Sequence, residues 1–158
     1  MNSPTACQVT MTPQREWALL LILAGIQFTH ILDFMIMMPL GPQLTQAFAI
    51  SDAKFGLLVS AYTFAAGASG LLASLYIDRF ERRRLLLILY VLFAVATLAC
   101  GLAPTYETLM SARIAAGLFG GILSAMIQTI VADVVPFARR GKAMGVIMTS
   151  FSVSTVMG

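Results

Sequence analysis

The sequence predicts an all-α integral membrane protein, a bundle of four complete transmembrane helices followed by an incomplete fifth. Three observations carry that prediction. Of the 158 residues, 59% are hydrophobic and only 11% are charged, with a mean hydropathy of +0.88, whereas an ordinary soluble domain is roughly one quarter charged. The apolar residues fall in long runs, and about 20 in a row are what one bilayer crossing requires. The charges lie almost entirely in the short segments between those runs.

The first run covers residues 17–40, after a tail at 1–16. It is too long for the core of a signal peptide and lacks a small-residue cleavage site. Residues 41–53, with Pro, Gly and Gln, read as a connector whose Ser51 and Asp52 are suited to cap the next helix. The second span is expected at 55–77, the third at 85–102 and the fourth at 109–132. The third stops before Pro104, because the residue preceding a proline disfavours helix. Residues 78–84 and 133–142 read as charged loops. The last run, 143–158, covers about 24 Å at 1.5 Å per residue, short of the roughly 30 Å hydrocarbon core. The chain is therefore expected to be the front part of a longer protein.

Orientation follows from the cations, since Lys and Arg are retained in cytoplasmic loops. One side holds Arg15, Arg79, Arg82, Arg83, Arg84, Arg139, Arg140 and Lys142, and the other holds Lys54 alone. The N-terminus is thus expected in the cytoplasm and the protein in the plasma (inner) membrane, with several crossings. The net charge of +3 is spread over these loops rather than clustered on a solvated face, so no nucleic-acid partner is expected. Cys7 and Cys100 fall on opposite sides and are expected to be free thiols.

Ionisable residues at membrane depth are costly, and they tend to face a cavity or a partner. The first span carries His30 and Asp33, three residues apart on neighbouring parts of one helical face. Asp33 lies about 24 Å along a helix that starts at Trp17. A carboxyl group there that can exchange between charged and protonated forms meets the requirement of a proton-coupled binding site; pairing with His30 or a neighbouring helix, for packing alone, is the alternative. Met35, Met37 and Met38 offer an adaptable apolar wall or simple core and lipid contact.

Arg113 lies near the outer end of the fourth span. It can snorkel outward toward Glu107 or turn inward toward Asp33, which is at similar depth. The row Arg113, Gly117, Gly121 repeats every four residues and favours the inward face. Small residues recur at the same spacing as Ala66, Gly70 and Ser74 in the second span and as Gly117, Gly121 and Ala125 in the fourth, a pattern that brings helix backbones close. Neither a metal-ligand cluster nor a nucleophile with a base is visible, so an enzyme is not expected.

With those residues in place, the chain resembles the major facilitator superfamily, and within it the drug/proton antiporters. "GLLASLYIDRFERRR" is similar to the family's cytoplasmic signature G-x-x-x-D-R-x-G-R-R, with Asp78, Arg79, Arg82 and Arg83 on its acidic and basic positions and Ser74 and Glu81 where glycines are usual. "LMSARIAAGLFGG" resembles the signature R-x-x-x-G at Arg113 and Gly117. "ILDFMIMMPLGP" is similar to a first helix with an embedded acid before a proline. "ADVVPFARRGKAMG" resembles the exit of the fourth helix, and the fifth-helix antiporter signature is not completed.

The resemblance implies the N-terminal helical bundle of a secondary transporter, with Asp33, Arg113 and His30 at the proton and substrate site. Asp78, Arg79, Arg82, Arg83 and Asp133 would form a conformational latch, and Gly70, Gly117 and Gly121 the helix packing. It implies export of small hydrophobic or amphipathic compounds against proton flow, with the proton gradient as energy source and no cofactor or metal. The implied partners are a small-molecule substrate, the lipid bilayer and a missing C-terminal helical bundle. A sugar or metabolite exporter, or a membrane partner subunit that does not itself transport, is the alternative.

Overall fold

The computed structural model describes residues 13–76 and 81–157. Six helices follow one another: α1 (Pro13–Met35), α2 (Met37–Ala47), α3 (Asp52–Tyr76), α4 (Arg82–Gly101), α5 (Tyr106–Val134) and α6 (Phe137–Met157). No strand occurs among the described residues. Four runs, Gln14–Ala47, Asp52–Ala73, Arg82–Gly101 and Tyr106–Val134, are long and apolar enough to cross a membrane. Leu21, Ile22, Phe64, Leu71, Leu72, Leu87, Val91 and Leu98 all point outward, a display that suits lipid and not water.

The first span runs past the expected end at residue 40. It bends at Ile36 and continues as α2 through Ala47, so most of the expected 41–53 connector is helical. Pro39 cannot donate to the Met35 carbonyl and its ring crowds it, which bends the chain there. Tertiary packing then overrides the local breaker pattern. A Cβ on Gly41 would stand 3.1 Å from the Phe55 ring, and Leu44 and Phe48 pack against the cluster of Met37, Leu58 and Leu109. The chain turns sharply at Ala49, whose φ is 49°, and Ser51 Oγ accepts from the Lys54 amide at 3.4 Å at the start of α3.

The expected loop at 133–142 is likewise mostly helix. α6 begins at Phe137, six residues ahead of the expected start, and its 21 residues span about 32 Å at 1.5 Å each. Arg139, Arg140 and Lys142 therefore occupy its first turns. Charge density alone does not distinguish a loop from the polar start of a helix.

α5 is the central helix. Its start is fixed by a reciprocal cap in which the Thr105 and Thr108 side chains bond each other's backbone N–H, and the Tyr106 hydroxyl donates to the Lys54 carbonyl of α3 at 3.0 Å. Its Ala116, Leu123, Met126, Ile127 and Val131 are buried in the main core with Leu20 and Leu23 of α1 and Phe93 of α4. α3 and α4 pack against α5, and α6 packs against α1. The buried Ser154 of α6 donates to the Phe28 carbonyl of α1 at 3.3 Å.

Glycine sets the closest approach. A Cβ on Gly117 would fall 2.5 Å from the Tyr62 carbonyl oxygen, one on Gly121 would press on the Ala66 carbonyl and Ser69 Oγ, and one on Gly70 would be 3.4 Å from the Gly121 carbonyl. Bare backbone on α5 thus lies against bare backbone on α3, the contact that lipid cannot drive and only packing supplies.

Candidate functional site

Asp33 and Arg113 meet in the interior between α1 and α5. Both are buried, with 7% and 5% of their surface exposed. Arg113 Nη1 donates to Asp33 Oδ2 at 3.2 Å and lies 3.4 Å from the Asp33 carbonyl oxygen. Arg113 therefore turns inward, and Glu107 stays exposed at the start of α5. A buried ion of either sign persists only when paired and hydrogen-bonded, so each of these side chains holds the other in place.

Around the pair stands an aromatic frame that the sequence analysis did not single out. The Arg113 guanidinium lies 5.8 Å from the centroid of Tyr62, within cation–π range. Tyr62 stacks on Phe34 at 5.6 Å and on His30 at 6.3 Å, and His30 meets Phe93 at 5.5 Å. His30 does not pair with Asp33, since neither ring nitrogen reaches a hydrogen-bond partner. A Cβ on Gly120 would run into His30 Nε2 and Cδ2, so that glycine makes the room in which the imidazole sits. Tyr62 extends the Ala66, Gly70 row by one turn, and Gly120 follows Gly117 by three residues. The spacing rows thus ended one step short of both residues.

At the opposite end of the bundle, Arg82 and Asp133 form an ion pair between the first turn of α4 and the last turn of α5. Each charge sits at the wrong end of its own helix dipole, a cation at an N-terminus and an anion at a C-terminus, and pairing relieves both. Arg140 Nε donates to the Val135 carbonyl at 3.1 Å, and Arg139 Nη1 stands 4.0 Å from Glu16 Oε2 of α1. Arg83 is exposed. Asp78, Arg79 and Cys7 lie outside the described residues. Cys100 is a free thiol. Among the described residues no group of three or more His, Cys, Asp or Glu side chains is placed to hold a metal.

Known proteins resemble this chain in sequence and in fold. The family model of the Major Facilitator Superfamily matches residues 23–158. The chain is 34% identical over 145 residues to the puromycin resistance protein pur8 of Streptomyces alboniger, covering 89% of this chain and 28% of that one. It is 24% identical over 145 residues to multidrug resistance protein 2 of Bacillus subtilis (strain 168), covering 92% and 36%. In fold it matches the inward-facing, unoccupied crystal structure of a bacterial homologue of the human lysosomal transporter Spinster, with a TM-score of 0.86 at 22% identity over 93% of this chain and 31% of that one. The chain spans about a quarter to a third of the length of these proteins.

Proposed function

Because the chain belongs to the Major Facilitator Superfamily, a family of multi-pass membrane transporters and not of enzymes, we propose that its buried Asp33–Arg113 pair couples proton entry to the export of small hydrophobic or amphipathic compounds. The observation that carries this reading is the geometry of the pair itself, a 3.2 Å contact between a carboxylate and a guanidinium with almost no exposure. Adding a proton to Asp33 cancels the charge that holds Arg113, and so biases the bundle between two arrangements. Two relatives are named as resistance proteins, which supports outward movement of such compounds.

In this reading the transporter sits in the plasma membrane with its N-terminus in the cytoplasm, and a second helical bundle closes the substrate path. The two bundles rock about the site. Arg82 and Asp133, together with Asp78, Arg79 and Arg83, latch the cytoplasmic side in one of the two states. The proton gradient is the energy source, and no cofactor takes part.

Asp33→Asn tests the proposal in the complete transporter that contains this bundle, reconstituted in liposomes with an imposed proton gradient. Asn keeps the shape and a hydrogen-bonding oxygen but cannot take up a proton. Gradient-driven export should be lost while substrate binding survives. Export at the parental rate would remove Asp33 from the coupling step.

A further inference from the structure

Five buried polar atoms beside the Asp33–Arg113 pair reach no hydrogen-bond partner: both ring nitrogens of His30, the hydroxyls of Tyr62 and Thr97, and Nε of Arg113. They come from four different helices, α1, α3, α4 and α5, and converge on one region of the interior. A polar group left dry at this depth is unfavourable, and several together mark a place that an ordered water fills, since such a water typically takes two to four partners.

A Cβ on Gly120 would press on His30 Nε2 and would stand 3.4 Å from the Tyr62 hydroxyl. Those two polar atoms flank one point and are near enough for a single water to bond both. Thr97 faces the Asp33 carboxyl from α4 without a well-aligned hydrogen bond to it. The rings of Phe93 and Phe34, against His30 and Tyr62, form the apolar walls. The other ionisable groups facing this cluster are Asp33 on α1, Cys100 on α4 and Arg113 on α5.

We infer that His30, Tyr62, Thr97 and Arg113 Nε build an internal hydration site, one or a few ordered waters that keep the buried ion pair in contact with exchangeable protons. Gly120 belongs to the site because its missing side chain leaves the imidazole its room. The link to proton coupling rests on the proposed function, whereas the water site itself does not.

These 158 residues hold a single histidine, so in the complete transporter, with any histidine outside them replaced, ring-15N-histidine labelling reports on this place alone. The experiment is solid-state NMR of that transporter in lipid bilayers, measuring magnetisation transfer from water to the His30 ring nitrogens. Transfer is expected in the native chain. It should fall about twofold or more in the double variant Tyr62→Phe, Thr97→Val, which removes two hydroxyl partners at nearly constant shape, and recover partly when Thr97→Ser replaces Thr97→Val. A native ring that receives nothing from water is dry and overturns the inference. Transfer that the double variant leaves unchanged overturns the assignment to Tyr62 and Thr97. Failure of Asp33→Asn to stop export would leave either result standing, so the two ideas fail separately.

Discussion

Among the described residues two arginine–aspartate pairs link helices of this bundle, and they occupy opposite surroundings. Asp33–Arg113 lies in the apolar interior with side chains 5% and 6% exposed. Arg82–Asp133 lies at the loop end with side chains 37% and 47% exposed. The chemical groups are the same, yet the energetics differ. In the interior each charge has given up its water, so the pair is costly to form and far more costly to break by halves. At the loop end water competes for both partners, and the pair can open and close at little cost. The interior pair therefore suits a site that must stay charged-and-paired or protonated. The outer pair suits a latch.

The largest effect should come from breaking the interior pair on one side. Arg113→Ala leaves the Asp33 carboxylate buried without its charge partner, and a loss of about 3–5 kcal/mol is expected. Thermal unfolding in detergent would measure it. Removing both charges, with Asp33→Leu and Arg113→Leu, should cost clearly less than Arg113→Ala alone, because no unpaired ion remains. If the double substitution is as damaging as the single one, the pair contributes through packing, and the contrast between the two environments loses its electrostatic basis.

A middle-sized effect lies at the backbone contact that brings α3 and α5 together. Gly121→Ala forces a methyl against the Ala66 carbonyl, which is backbone and cannot swing away, so a cost of about 1–3 kcal/mol is expected from overpacking. Gly70→Ala meets the Gly121 carbonyl at an ordinary 3.4 Å, and Gly25→Ala meets nothing within 4 Å. Gly25→Ala should be neutral or slightly stabilising, since alanine is the better helix former by up to about 1 kcal/mol. The order Gly121, Gly70, Gly25 in melting temperature tests whether close approach, and not glycine content, positions Arg113 beside Tyr62.

How much of this was readable from the residues depends on the range of each signal. Apolar runs and loop charges are local, and they gave the four crossings. The four-residue rows gave Gly70, Gly117 and Gly121, and similar depth put Asp33 within reach of Arg113. What escaped depends on partners distant in sequence. The helical continuation through Ala47 rests on Gly41 meeting Phe55 and on Leu44 and Phe48 reaching Leu58, against a local pattern rich in breakers. Tyr62, Thr97 and Gly120 are ordinary residues for a membrane helix, and nothing local says that Tyr62 and Gly120 face one imidazole or that Thr97 faces Asp33. Ser154 looks like any small residue until α6 is laid on α1.

The smallest effect in stability should be at the outer pair, and there the comparison is most exposed to refutation. Arg82 makes contacts beyond Asp133, so Arg82→Ala alone overstates the pair, and a double-mutant cycle with Asp133→Ala is needed to isolate it. A coupling energy of about 0.2–1 kcal/mol is expected for partners this exposed. It should shrink as salt rises, because the screening length falls from about 10 Å at 0.1 M to about 3 Å at 1 M. The Asp33–Arg113 cycle should keep its coupling over the same range, since ions do not enter that interior. If both cycles respond to salt alike, bulk solvent and its ions reach Asp33 and Arg113 freely, and the division into a buried pair and an exposed pair fails. If only the outer one weakens while export is altered in Arg82→Ala, a contact worth less than one kcal/mol in stability is acting on the balance between two conformations, where differences of that size already shift populations several-fold.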